Sequence, residues 1–142
     1  MFYGLLLVCL VIDQITKYIV RTHMMVGDSI PLLSNVFHIT YILNRGAAFG
    51  ILENQRLFFL GIVLILLVIY IIFRHTIHRG PRYLKIGAAL LMSGAIGNGW
   101  DRFHYNAVID FFDFRIWPIF NVADITICIG VSLVAYYMIR SK

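Results

Sequence analysis

Carboxylates and carboxamides recur in this 142-residue chain at spacings that could do acid–base chemistry. Four patterns carry them: Asp13-Gln-Ile-Thr-Lys17, Asn98-Gly-Trp-Asp101-Arg102, Val108-Ile-Asp110-Phe111 and Phe120-Asn121-Val-Ala-Asp124. Each lies inside or at the edge of a long apolar stretch. An ionisable group at membrane depth costs about 2.5–3.5 kcal/mol on insertion scales, so such groups rarely sit there without a task. Two carboxylates brought together can divide the work of hydrolysis. One, ionised, takes a proton from water; the other, neutral, hydrogen-bonds the scissile carbonyl. Repulsion between them drives their pKa values apart and supplies both forms at one pH. The expected chemistry is therefore acid–base work on a substrate that itself lies in the bilayer.

Plainer roles compete for the same residues. Asp13 and Lys17 are one helical turn apart and can meet on one face. A neutralised pair that fixes the first helix is favoured there over a catalytic role. Gly87, Gly94, Asn98 and Asp101 fall near one face of a helix, and the glycines suit close approach by a neighbouring helix. Arg102 is expected to clamp Asp101 and make it a scaffold. Asn121 and Asp124, after Pro118, fit a helix N-cap and its N3 partner, and taken alone that capping role is favoured. The co-occurrence of several such patterns at one membrane depth is what points to a site. Other hydrolytic solutions fit poorly. No His-Glu-x-x-His is present for a zinc protease. Ser93-Gly94 has only loop histidines such as His104 nearby, and the acids are too sparse for a metal-holding array.

The elements that must position these groups read as membrane spans. The chain is 61% hydrophobic and only 13% charged, where soluble domains carry about a quarter charged residues. Its mean hydropathy is +0.84. Apolar segments run roughly over 2–20, 57–73, 83–99 and 121–139, each near the ~20 residues that cross a ~30 Å hydrocarbon core. The expectation is an all-α membrane fold: one domain over 1–142, a four-transmembrane-helix bundle. The second segment has no polar face and should meet lipid, while the other three should face one another. The N-terminal run lacks a basic n-region and reads as a retained helix. The connection over 74–85 is basic and without an acid, as is Arg140-Ser-Lys142. That bias places the connection and both termini in the cytoplasm, N-in and C-in. It also accounts for the net charge of +5 better than nucleic-acid binding, which needs a denser basic stripe.

With that parity, the ends of helices one and three and the start of helix four meet at the outer face. Asp13 lies about 18 Å along helix one, past the midplane towards that face. In the long first connection, Val36-Phe-His-Ile-Thr-Tyr-Ile-Leu43 reads as one or two short strands, and residues 44–50 as a tight bend. An extended apolar element there could cradle a peptide. Cys9 and Cys128 fall in apolar runs, where cysteine behaves as a small hydrophobe.

Five blocks in this order resemble the bacterial lipoprotein signal peptidases (signal peptidase II) over essentially the full length. They are Asp13-x-x-Thr16-Lys17, Asn44-Arg45-Gly46-Ala47-Ala48-Phe49-Gly50, Gly94-Ala95-Ile96-Gly97-Asn98-x-x-Asp101-Arg102, Val108-x-Asp110-Phe111 and Phe120-Asn121-x-Ala123-Asp124. The resemblance implies a membrane aspartyl endopeptidase of the bacterial cell membrane. Such an enzyme cuts prolipoprotein signal peptides before a diacylglyceryl-modified cysteine, near the extracytoplasmic face. It makes Asp110 and Asp124 the catalytic pair. Asn98, Asp101, Arg102 and Asn121 would orient the dyad and substrate; Asp13, Lys17, Asn44 and Gly94 would shape the site. A small extracytoplasmic β-cradle and a short surface helix map onto roughly 28–56. The implied partners are lipidated precursors and membrane lipid, with a monomer as the expected state; no metal, nucleotide or other cofactor is implied.

Two acids rival Asp110. Asp113 falls in a stretch that is short for the family, but Val108 and Phe111 complete the block around Asp110 and nothing does so for Asp113. Asp101 is the stronger rival, yet a residue returning from the connection can face Asp124 without competing with Arg102. A proton-coupled transporter would instead place acids at several depths, and a non-catalytic lipoprotein-binding chaperone would tolerate loss of either Asp.

Overall fold

Apolar stretches of this length fold as helices because lipid offers no partner for a backbone N–H, so each must be bonded within its own segment. The computed structural model describes residues 1–46 and 52–141. In chain order they form α1 (Phe2–His23), β1 (Ser29–Leu33), β2 (Phe37–Asn44), α2 (Arg56–Arg79), α3 (Arg82–Tyr105), β3 (Val108–Asp113) and α4 (Val122–Arg140). By length and composition, α1, α2 and α4 are apolar enough to cross a membrane. Helix α3 is equally long but carries Arg82, Lys85, Asp101 and Arg102. It packs against all three other helices, so most of its surface meets protein rather than lipid.

The helices outrun the apolar segments that announce them. Helix α2 continues through Arg74, His75 and His78 to Arg79, and α3 begins at Arg82. The connection expected over 74–85 is thus only Gly80-Pro81, with the Gly80 N–H returning to Thr76 O at 2.8 Å. At the other end, Asp101 and Arg102 ride the last turns of α3, as expected, and the helix runs on to Tyr105. Charge marks where lipid should end, whereas a helix ends where Gly, Pro or a left-handed residue stops it. For α3 that residue is Asn106, at φ 58.

Helix α2 has no buried residue, as the absence of a polar face over 57–73 implies. Helices α1, α3 and α4 pack together. One core cluster joins Phe2 to Ala88, Ala89 and Met92; the other joins Val20 to Tyr41, Ile109 and Phe111. The second cluster ties the end of α1 to a three-stranded antiparallel sheet of order β1-β2-β3. The strand expected over 36–43 is β2, with β1 hairpinned onto it. The third strand comes from residues 108–113, which the sequence reads only as a connection, although Val108-Ile-Asp-Phe-Phe is a strand-forming composition. Parts of the bend and surface helix expected over 28–56 fall on residues 47–51, outside the described residues; residues 52–54 form a turn.

Candidate active site

The first turn of α4 is where the polar residues converge. A helix begins with unpaired N–H groups, and here three of them are bonded by side chains or held in a reciprocal pair. Asn121 Oδ1 accepts the Asp124 N–H at 2.9 Å, and Asp124 Oδ2 accepts the Asn121 N–H at 3.1 Å. This is a capping box. The Ala123 N–H donates to Asp13 Oδ1 at 2.9 Å, so a carboxylate of α1 caps α4 from outside. The capping role read from Asn121 and Asp124 is therefore real, and it also aims Asp124: its Oδ1 accepts Asn98 Nδ2 of α3 at 2.8 Å.

Asp110 reaches the same place from β3. The register sets Ile42 opposite Asp110 and Asn44 opposite Val108, which makes Asn44 a diagonal neighbour of Asp110 on one face. Asn44 Nδ2 donates to Asp110 Oδ2 at 3.0 Å, and Asn121 Nδ2 donates to Asp110 Oδ1 at 2.6 Å. Asp110 is 1% exposed. Burial and the nearby negative charge of Asp124 outweigh the two amide donors and push its pKa up to about 7. Asp110 and Asp124 line one cavity of about 450 Å³, walled by Phe59 and Ile62 of α2, Asn98 and Arg102 of α3, and the 117–120 connection.

A buried ion cluster backs this site. Lys17 Nζ lies 2.9 Å from Asp13 Oδ2 and 2.8 Å from Asp101 Oδ2. It donates to Asn98 Oδ1 at 2.9 Å, an oxygen that also accepts Asn121 Nδ2 at 3.1 Å. With both donors on its oxygen, the Asn98 carboxamide must present its nitrogen to Asp124. The cation that clamps Asp101 is Lys17, not Arg102 as expected. Adjacent residues on a helix point about 100° apart and do not face each other. Arg102 instead donates to Gly46 O at 2.9 Å and stacks over Phe59, 4.1 Å from the ring centroid. Asp101 also accepts the Ile109 N–H at 3.2 Å, which fixes the start of β3.

Gly94 sits outside the cavity lining and acts through packing. A β-carbon there would press into Ala123 O and Thr126 Oγ1, so only glycine lets the first turn of α4 close onto α3. Gly97 does the same for Asp13, whose Oδ2 would lie 2.5 Å from an added β-carbon. Asp113 is elsewhere. Burial tends to raise its pKa, but the Thr40 hydroxyl at 2.7 Å and the Arg115 N–H and guanidinium at 2.8 and 3.0 Å hold it below the usual range. It does not line the cavity.

The structure thus gathers Asp110, Asp124, Asn44 and Asn98 around one space, with Arg102 on its wall and Asn121, Asp13, Lys17 and Asp101 behind it. Sequence reasoning passed over Gln14, whose Nε2 donates to Asp13 Oδ2 at 3.1 Å and Asp101 Oδ1 at 3.2 Å. A polar residue three positions before Lys17 on an apolar helix was the available signal. The backbone donors of Ile109 and Ala123 carry no signature in side-chain identity. Chemically, the arrangement offers a carboxyl poised near neutrality and a second carboxyl held by N–H donors, both on a space open to a substrate.

Known proteins resemble this chain over nearly its whole length. The family model for signal peptidase (SPase) II matches residues 5–140. The lipoprotein signal peptidases of Halothermothrix orenii and Moorella thermoacetica are each 40% identical to this chain. Both alignments cover 97% of it, with 94% and 92% of the respective relatives. A solved bacterial membrane enzyme, determined by the in meso method at 2.3 Å resolution, superposes with a TM-score of 0.90 at 34% identity. That superposition covers 98% of this chain and 87% of the other. A second, at 1.9 Å resolution, gives 0.87 at 34% identity over 99% and 94%. On this matching the chain belongs to the signal peptidase II family of membrane peptidases.

Proposed function

We propose that this protein is an aspartic endopeptidase that removes signal peptides from prolipoproteins, cutting before a diacylglyceryl-modified cysteine. The observation that carries this reading is the pairing of Asp110 and Asp124 on one cavity, each held by its own carboxamide, with Asp110 near neutrality. The relatives named lipoprotein signal peptidases supply the substrate class.

In the mechanism, protonated Asp110 hydrogen-bonds the scissile carbonyl and passes its proton to that oxygen as water adds, then takes a hydroxyl proton back when the carbonyl re-forms. Asp124, at the positive end of the α4 dipole, takes a proton from water as the water oxygen bonds to the carbonyl carbon. The gem-diol then collapses, the C–N bond breaks, and the leaving amine receives a proton from the dyad. The scissile segment must be extended, because carbonyls within a helix are already hydrogen-bonded; the sheet beside Asp110 offers a surface for such a segment. Lys17, Asp13 and Asp101 position Asn98, while Asn44 and Asn121 position Asp110.

The same reading makes α3 a fourth span, enclosed by the other three helices and therefore less apolar. It places both termini in the cytoplasm and the dyad towards the extracytoplasmic face of the bacterial cell membrane, in a single-domain monomer. Purified Asp124→Asn and Asp110→Asn proteins should each cleave a lipidated precursor about 10²–10⁴-fold more slowly than wild type. Wild-type cleavage by either variant would overturn the dyad. Cleavage of the lipidated but not the non-lipidated precursor separates this function from transport or chaperoning.

A further inference from the structure

We infer that the seam between the start of α1 and the end of α2 binds the phosphate headgroup of an anionic phospholipid. The site lies at the end of the bundle away from the dyad, and it goes beyond the proposed function.

Helices α1 and α2 each pack on α3 and far less on each other. Where they do meet, a polar relay is set among aromatic rings. Phe2 stacks on Tyr70 at 5.0 Å, and the Phe2 and Tyr3 rings lie 5.2 and 5.6 Å from that of His78. Tyr70 Oη donates to Tyr3 Oη at 2.9 Å and lies 3.1 Å from His78 Nε2. With its own proton directed at Tyr3, Tyr70 accepts from His78 in the Nε2–H form. The relay then ends in the Tyr3 hydroxyl proton, which meets no acceptor among the described residues. Each bond in such a chain polarises the next, so the last donor is strengthened. Tyr3 is 66% exposed, and that donor is open to a ligand.

A cation stands beside it. Tyr70, Arg74 and His78 follow at four-residue intervals and share one face of α2. Arg74 is exposed, and its charge acts on the Tyr70 hydroxyl. It has no ion-pair partner among the described residues. Nor is a carboxylate at hand: no Asp or Glu lies between Glu53 and Asp101 or after Asp124. The first acid of α1, Asp13, is about 17 Å along the helix from Phe2. A guanidinium with a hydroxyl donor and no competing acid suits a phosphate oxygen.

Depth decides whose phosphate it is. Ile71, Ile72 and Phe73, just before Arg74, are exposed on a helix with no buried residue. Arg74 therefore stands where acyl tails give way to headgroups, the level at which tyrosine is enriched. The tails of a bound lipid would run from there over Leu5, Leu6, Leu66 and Leu67. The cytoplasmic leaflet, to which the proposed topology assigns this end, is anionic. A signal peptide's amino-terminal region is itself basic and has the wrong sign for the site.

The test titrates the purified full chain in detergent by native mass spectrometry. The probes are dioleoyl phosphatidylglycerol, dioleoyl phosphatidylcholine and inorganic phosphate. Phosphatidylglycerol should bind at least about tenfold more tightly than phosphatidylcholine. Arg74→Gln should weaken phosphatidylglycerol binding about tenfold, and Tyr3→Phe about threefold. Arg140→Gln removes an equal charge at the same end but on α4, beside Tyr136. It should weaken binding less than about twofold, because its charge is screened from the seam. Equal losses in Arg74→Gln and Arg140→Gln would mean a diffuse basic collar and overturn the site, as would equal affinity for the two lipids. Displacement of the lipid by inorganic phosphate would overturn it in favour of a free-phosphate site. If Arg74→Gln fails to fold, Tyr3→Phe against Arg140→Gln decides. Cleavage of a lipidated precursor is read separately, so the proposed function and this site can fail independently.

Discussion

Asp110 and Asp113 differ by three positions in one strand and by opposite environments. Asp110 is buried with two neutral amides and a second acid; Asp113 is held by a hydroxyl and an arginine. The pH behaviour should follow Asp110. Cleavage should decline as pH rises through about 7, where Asp110 loses the proton that the proposed mechanism requires. The Asn44 donor lowers the Asp110 pKa, so Asn44→Ala should move that descending limb of the kcat/KM profile to higher pH. Stability carries the same sign. A raised carboxyl pKa favours the fold fully below about pH 4 and progressively less as pH rises through about 7. Wild-type protein in detergent should therefore unfold at lower temperature at pH 8 than at pH 5. Asp110→Asn, which cannot titrate, should narrow that difference.

At the scale of elements, the start of α4 is a junction where α1, α3 and β3 are each tied by a buried side chain. Asp13 caps it, Asn98 meets Asp124, and Asn121 reaches back to Asp110 and to Ile109 O at 3.2 Å. Lys17 is the counter-charge on which this junction depends, because Asp13 and Asp101 are each 1% exposed and share it. Removing one partner of a buried ion cluster leaves uncompensated charge and costs about 3–5 kcal/mol. Lys17→Met should lower unfolding stability in detergent by about that amount. Its cleavage rate should also fall at temperatures where it is still folded, since the Asn98 carboxamide loses the donor that orients it. A variant that stayed stable and active would show that the cluster merely fills space.

For the whole molecule, the proposed four-span arrangement makes a labelling prediction. With Cys9 and Cys128 replaced by Ala, a cysteine at Gly80 should react with an impermeant thiol reagent only from the cytoplasmic side. A cysteine at Leu32, in the exposed strand β1, should react only from the outside. Labelling of both from one side would remove α2, the helix between them, from the spans, and the opposite pattern would reverse the assignment of faces.

Composition and apolar run length determined the helices and their membrane setting, because lipid forces every long apolar segment to bond its own backbone. Most of the polar residues that the structure gathers beside α4 were legible as well, Gln14 excepted, since acids and carboxamides within apolar runs are costly enough to mark themselves. Helix ends were less legible: the charged turn beyond the second apolar run remains helical to Arg79, and α3 begins already at Arg82. Only the tertiary structure decided which cation holds Asp101, that Asp110 lies in a strand opposite Ile42, and that Asn98 faces Asp124. Those are relations between segments tens of residues apart. They arise from how glycine faces let α3 approach α1 and α4, a packing outcome that no local pattern of residues contains.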